Sequence, residues 1–277
     1  ARIAARKDAP ARSDLSGLKI YINAGHGGYD ANDRSCWTIP VPETWTNPEG
    51  YWESKSNLTK ALHLEEMLKK SGATVIMSRR TNKSGIRDLE YYPNATEAEK
   101  AELRKGDDRD LSAIAEEANA NRVDHFLSIH SNAGNPSNYI LQLYSGITPG
   151  DNRTYSHMPA NSETSRKITT LMGDNQYMNE VSCWTRVPYI AGDKTFARDI
   201  MGWSNGYGVL RWLNVPGTIS EGMMHDYLPE TYRLVNIDYK RQESFYFAKT
   251  FIEYFCEGEL PYGAIGGQLR DDFQKQL

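Results

Sequence analysis

Apolar residues recur along the chain with two spacings, which together predict alternating strands and helices. Short runs rich in β-branched residues, typical of buried strands, occur at 18–22 and at 73–78. Between them, residues 54–71 place Leu, Ala and Met at helical spacing, and Gly72 is a suitable C-terminal stop. A strand, a helix and a second strand in this order predict a βαβ unit with two parallel strands.

The same two spacings predict further elements along the remaining chain. Strands are predicted at 123–130, 139–144 and 217–220. Helices are predicted at 97–105, 110–121, 163–177, 195–203 and 241–255. Polar residues dominate 81–107, which is read as an inserted surface segment, and 29–52 is read as a long aromatic loop. The sequence therefore predicts a single α/β domain with a mostly parallel central sheet, helices on both faces and inserted surface segments.

Composition and charge narrow the class of protein. The 277 residues are 39% hydrophobic and 25% charged, with a formal net charge of −4, which is ordinary for a globular domain. There is no basic surplus, so nucleic acid is not expected as a partner. No apolar run approaches the roughly 20 residues of a membrane-spanning helix, so no span is predicted. No signal peptide is recognisable in residues 1–17.

The three cysteines give no clear disulfide framework. Cys36, Cys183 and Cys256 are widely spaced and form no CxxC pair. Three buried or free thiols are the expected state, and one disulfide remains open as the alternative.

Side chains suited to metal binding or proton transfer follow several predicted strands. His26 follows the first strand within a Gly-His-Gly-Gly loop, whose glycines permit positive φ and close approach. His130 ends the strand that begins at 123, Glu221 follows the strand that begins at 217, and Glu53 begins the first helix. Sites in open α/β sheets lie outside the carboxyl ends of the strands, so we expect these four residues to lie close together.

Two histidines and one carboxylate with an open coordination position form a standard ligand set for hydrolytic zinc. A second carboxylate that does not bind the metal can then carry a proton from water to the leaving group. No HExxH motif is present, however, and four such residues also occur by chance at strand ends. Spacing alone therefore leaves ordinary hydrogen-bonded residues as the alternative.

Eight short blocks add a more specific signal because they follow one another in a fixed order. They are 20–28, 53–58, 71–75, 78–79, 110–111, 118–119, 126–133 and 215–222. Their order and spacing resemble the zinc-dependent N-acetylmuramoyl-L-alanine amidases with an Amidase_3 catalytic domain. The resemblance implies a catalytic domain at 18–258. Residues 1–17 mix Ala, Arg, Asp and Pro without periodicity and are expected to be a tail or linker, and 259–277 is expected to be a C-terminal extension.

The resemblance implies that His26, Glu53 and His130 bind Zn²⁺ and that Glu221 is the catalytic carboxylate. The family reaction is hydrolysis of the amide between N-acetylmuramic acid and the L-alanine of the stem peptide. Peptidoglycan or a muropeptide is then the expected substrate. The expected location is the periplasm, the cell surface or the extracellular space, which follows from the substrate.

The resemblance assigns no fixed role to several other positions near the implied site. An acidic residue is usual where this chain has Asn23-Ala24, so the hydrogen bonding around the metal ligands is expected to differ. Asn132, His225 and Trp52 are candidate substrate contacts, and Trp52 and its aromatic neighbours can instead serve packing. Some relatives block the zinc with an inserted segment until a partner removes it, so a regulatory protein remains an open partner.

Two other functions remain open at this level. One is a zinc peptidase or amidase that acts on another amide, and the other is a cell-wall-binding module that has lost turnover. The presence of Glu221 argues against the binding module, which needs no carboxylate there. His125 lies inside an apolar strand and is expected to be a hydrogen-bonded core residue.

Overall fold

A six-stranded sheet forms the centre of the protein. The computed structural model describes residues 14–27, 51–82, 96–98, 111–133, 139–147, 161–179, 181 and 208–256, with the backbone of 195–199. The strands are β1 (Lys19–Ala24), β2 (Thr74–Met77), β3 (His125–Asn132), β4 (Ile140–Tyr144), β5 (Thr195–Asp199) and β6 (Gly217–Met224). Their order across the sheet is β2-β1-β3-β6-β4-β5.

Strands β2, β1, β3 and β6 are parallel neighbours, so their carboxyl ends lie at one edge. Strand β4 runs antiparallel to β6, and β5 is parallel to β4. The predicted mostly parallel sheet is therefore confirmed, with one antiparallel pairing within it.

Helices cover both faces of the sheet, as predicted. They are α1 (Glu53–Lys70), α2 (Leu111–Asn121), α3 (Ser162–Met178), α4 (Leu228–Val235) and α5 (Ile237–Phe255), with a 3₁₀-helix at Gly208–Trp212. Alternate residues of β1 face opposite sides, because side chains alternate along a strand. Ile20 and Ile22 pack in the core formed with α1, α3 and α5. Tyr21 packs in the second core, with α2 and the 3₁₀-helix.

Several boundaries differ from the sequence-based predictions. Residues 195–199 form strand β5 rather than the start of the predicted helix at 195–203, and the backbone pairs in register with β4 from Ile140↔Thr195 onward. Pairing with a neighbouring strand overrides the mixed local propensity of this segment. Strand β6 extends to Met224, so Glu221 lies within the strand instead of after it. Helix α4 was not predicted.

The last helix also begins earlier than predicted. Helix α5 starts at Ile237 because the Asn236 side chain accepts a hydrogen bond from the Asp238 N–H at 2.8 Å, which is an N-terminal cap. Leu15, within the predicted tail, is fully buried and its N–H donates to the Ser71 carbonyl at 2.7 Å. The predicted loop at 29–52 and helix at 97–105 lie largely outside the described residues.

Cys256 is a buried free thiol, while Cys36 and Cys183 lie outside the described residues. Among the described helices, none combines the length and the apolar character needed to cross a membrane.

Candidate metal centre

Three of the predicted site residues meet at the carboxyl edge of the parallel strands. His26 Nε2 lies 3.2 Å from Glu53 Oε2, and His130 Nδ1 lies 3.2 Å from Glu53 Oε1. One ligand atom from each residue can be chosen so that all lie within 4.8 Å of one another. The two imidazole rings have centroids 4.8 Å apart and are inclined at 75°. Each ring presents a nitrogen to the same carboxylate.

Each of the three side chains is positioned by a different element. His26 follows β1 and takes a left-handed backbone conformation with φ 59°, which is uncommon for a residue other than glycine. Glu53 is the first residue of α1, where the helix dipole favours a carboxylate. His130 lies near the end of β3, which pairs directly with β1.

Gly25 is needed for close packing rather than for an unusual φ. A Cβ atom at this position would lie 2.2 Å from His130 Nε2, a distance that no relaxed structure accommodates. The expectation that the glycines permit close approach therefore applies to the His130 ring. The left-handed conformation falls on His26 itself, and Gly25 and Gly27 do not share it.

The protonation states at this cluster suit metal binding. Burial alone would raise the pKa of Glu53, but hydrogen bonds with His130 and His26 outweigh burial and hold that pKa well below its usual range. Burial lowers the pKa of His130, against the opposing effect of Glu53. An ionised carboxylate and a neutral imidazole are the forms that bind metal ions.

A buried guanidinium joins the His26 loop to the start of α1. Arg79 donates to the carbonyl oxygens of Ala24 at 2.9 Å, Gly25 at 3.0 Å and Ser54 at 2.8 Å. Its remaining donor group bonds to the Thr81 carbonyl and to Asn82 Oδ1, both at 2.9 Å. Because the guanidinium is planar and offers several donors at once, it fixes Ala24 and Gly25 relative to Ser54.

Glu221 lies beside this cluster in the sheet register. It is the direct partner of His130 across the parallel pair of β3 and β6, so the two side chains project from the same face. The Glu221 residue is largely buried. The register shifts between His130 and Asn132, which marks a bulge of the kind common beside functional sites.

The three candidate substrate contacts lie in different surroundings. Trp52 is buried, and its carbonyl accepts from the Ser56 N–H at 3.0 Å. His225 is fully buried, with Nδ1 2.9 Å from Ser131 Oγ and 3.9 Å from Glu53 Oε2. Asn132 is partly exposed, and its Oδ1 accepts from the Ala133 N–H at 2.8 Å.

Other residues of this region were not singled out from the sequence. Ser131 donates its backbone N–H to Glu53 Oε1 at 2.9 Å, and its hydroxyl lies 2.6 Å from the Tyr51 hydroxyl. In the sequence, Tyr51 belongs to the aromatic loop at 29–52, and Arg79 and Ser131 lie within the blocks at 78–79 and 126–133. Asn23 lies where an acidic residue was expected from the resemblance. Its side-chain amide donates to Ser128 Oγ at 2.8 Å.

An α/β domain that gathers two imidazoles and a carboxylate at the carboxyl ends of parallel strands is typical of a metal-dependent hydrolase. The Amidase_3 family, N-acetylmuramoyl-L-alanine amidase, matches residues 20–242. The match covers most of the chain, so the protein belongs to this family. No curated protein sequence gives a significant match.

Solved structures of amidases share this fold. The N-acetylmuramoyl-L-alanine amidase from Clostridium difficile 630 is 18% identical with a TM-score of 0.56, and 87% of this chain and 97% of that chain are covered. Ami1 from Mycobacterium smegmatis is 16% identical with a TM-score of 0.58, covering 88% and 99%. The CwlD amidase from Clostridioides difficile, solved in complex with the GerS lipoprotein, is 18% identical with a TM-score of 0.53, covering 86% and 98%.

Proposed function

We propose that this protein is a zinc-dependent N-acetylmuramoyl-L-alanine amidase that separates the stem peptide from the glycan of peptidoglycan. The observation that carries the proposal is the cluster of His26, Glu53 and His130 in a chain of this family. The bond that breaks is the amide between the lactyl group of N-acetylmuramic acid and the L-alanine nitrogen.

The donor atoms fit a zinc ion in number and type. Ligand atoms about 2.0–2.2 Å from one tetrahedral zinc lie roughly 3.3–3.6 Å from each other. Here each imidazole has a nitrogen 3.2 Å from one of the two Glu53 oxygens, and one ligand atom from each residue lies within 4.8 Å of the others, so zinc would draw the three side chains slightly closer. Three protein ligands leave a fourth position open, as in catalytic zinc sites. When bound, zinc supplies Lewis-acid chemistry: it acidifies water and polarises a carbonyl oxygen.

Glu221 has the role of general base and then general acid. Its carboxylate accepts a proton from the attacking water, whose oxygen forms a bond to the amide carbon. The same carboxyl then delivers that proton to the L-alanine nitrogen as the carbon–nitrogen bond breaks. The immediate products are a lactyl carboxylic acid and a neutral peptide amine. The proton of the acid then passes to the amine, which gives a carboxylate and an ammonium group, so atoms and charge balance.

This function implies where the protein acts. Peptidoglycan lies outside the cytoplasm, so we propose an exported protein of the periplasm, the cell surface or the extracellular space. A regulatory protein for this chain stays a prediction, although the similar CwlD was solved with the GerS lipoprotein.

Mass spectrometry of purified muropeptides tests the proposal. Incubation with the protein should release intact stem peptides with a free L-alanine amine, and a chelator should abolish the release. Cleavage at another amide would instead indicate a different zinc peptidase, and binding without products would indicate a wall-binding module. Glu221→Gln should retain zinc yet lose release, whereas His26→Ala should lose both. Normal release by Glu221→Gln would remove Glu221 from the mechanism.

A further inference from the structure

Three buried side chains that are not proposed metal ligands form a chain of hydrogen bonds next to Glu53. The Tyr51 hydroxyl lies 2.6 Å from Ser131 Oγ, which lies 2.9 Å from His225 Nδ1. Tyr51 is 5% exposed, Ser131 3% and His225 0%. Buried polar groups of this kind gain their full value only when each member keeps its partner.

Each member of this chain lies on, or directly next to, an element that carries a proposed site residue. Tyr51 lies two positions before Glu53, and Ser131 directly follows His130. His225 directly follows strand β6, which carries Glu221. The three hydrogen-bonded side chains therefore connect the start of α1, the end of β3 and the end of β6.

Ser131 contacts both the other members of this chain and the Glu53 carboxylate. Its backbone N–H donates to Glu53 Oε1 at 2.9 Å, in the region where the ladder between β3 and β6 is irregular. Its side chain is fixed from two sides, by Tyr51 and by His225. The two side-chain hydrogen bonds thus oppose displacement of the Ser131 backbone, which carries the N–H that orients Glu53.

His225 is itself held firmly from the main chain. Its N–H donates to the Asn132 carbonyl at 2.8 Å, and its carbonyl accepts from Thr231 Oγ1 at 2.7 Å. Its Nδ1 lies 3.9 Å from Glu53 Oε2, beyond hydrogen-bond distance, so Ser131 is the nearer partner. The Tyr51 and His225 rings also pack with centroids 5.8 Å apart.

We propose that Tyr51, Ser131 and His225 form a positioning network that presets Glu53 for zinc. This inference rests on the proposed function, because it assigns the network to the same metal centre. It gives His225 a positioning role behind the carboxylate in place of a substrate contact. Outer partners of metal ligands are typically worth about 10–100-fold in metal affinity.

The experiment measures zinc affinity by competition with a chromogenic chelator. Tyr51→Phe and Ser131→Ala each remove one hydroxyl and should weaken zinc binding on the order of tenfold. His225→Asn keeps an amide near the position of Nδ1 and should retain most of the affinity that His225→Leu loses. Tyr21→Phe is the matched control, since Tyr21 is a buried tyrosine whose hydroxyl bonds to Glu117 in the other core.

Two further readouts separate positioning from general destabilisation. The visible absorption of cobalt-substituted protein should change in Tyr51→Phe and stay unchanged in Tyr21→Phe, because it reports ligand geometry. The combined Tyr51→Phe and His225→Leu variant should lose less affinity than the product of the two single losses, because both act through Ser131.

The outcomes distinguish this inference from the proposed function. Zinc affinities of Tyr51→Phe and Ser131→Ala within about twofold of the parent protein would overturn the network alone. Single losses that multiply independently would also overturn it. A parent protein that takes up no zinc would overturn the network and the metal centre together.

Discussion

A buried ion pair between the first and last helices allows a quantitative prediction of the free energy of unfolding. Lys60 Nζ lies 2.9 Å from Glu243 Oε2, and both side chains are 0% exposed. Lys60 lies on α1, two turns after Glu53, and Glu243 lies on α5. The Glu243 carboxylate also packs against Gly222, where an added Cβ would lie 2.3 Å from Oε1. The pair thus joins two helices directly behind the strand that carries Glu221.

Lys60→Met removes one partner and leaves a buried, uncompensated carboxylate. Breaking a buried pair in this way costs about 3–5 kcal/mol, a large part of the roughly 5–15 kcal/mol that stabilises a typical domain. For a domain of this size that corresponds to a fall in melting temperature of roughly 6–20 °C. Replacing both residues, as Lys60→Met with Glu243→Met, should recover much of the loss, because no charge is then left buried.

Urea unfolding followed by circular dichroism measures these differences. Lys70→Met is the matched control, since Lys70 lies on the same helix and pairs with Glu66 at the exposed surface. This control should unfold at nearly the same urea concentration as the parent. The reasoning fails if Lys60→Met is as stable as Lys70→Met, or if the double variant is no more stable than Lys60→Met.

Three further changes test the surroundings of the site. Gly25→Ala should weaken zinc binding at least tenfold, because its Cβ would displace the His130 ring; unchanged affinity in a chelator titration would contradict the packing. Arg79→Lys keeps the charge but loses the fork that binds several carbonyls, so zinc affinity and melting temperature should both fall. Burial lowers the pKa of His125 to about 3, while its Nε2 lies 3.0 Å from Thr218 Oγ1. The stability that neutral His125 contributes should therefore be complete above pH 6.5 and be lost as the pH falls toward 3. Between pH 7.5 and pH 5, urea titrations should show the parent losing about 2 kcal/mol more than His125→Gln, and equal losses would refute this.

The sequence was sufficient to predict the part of the fold that brings His26, Glu53 and His130 together. Parallel strands place their carboxyl ends at one edge, so His26 and His130 could be placed near each other from the β1 and β3 patterns alone. Glu53 could be added because it begins the helix that follows β1. His125 was also predicted as a hydrogen-bonded core residue, and the contact with Thr218 confirms that prediction.

Other features depend on contacts that no local pattern encodes. Strand β5 was predicted as a helix because its state is decided by pairing with β4 rather than by its own residues. Strand β6 was predicted too short, because Glu221 is held in the sheet by His130 on one side and Leu141 on the other. The network of Tyr51, Ser131 and His225 joins residues 80 and 94 positions apart, and it depends on side-chain directions at an irregular part of the ladder.

The most direct test of the metal centre is anomalous diffraction at the zinc absorption edge from crystals of the protein supplied with zinc. The account predicts one strong peak about 2.0–2.2 Å from a nitrogen of His26, a nitrogen of His130 and an oxygen of Glu53. A well-ordered cluster with no anomalous peak, or a peak that contacts other residues instead, would contradict the central claim.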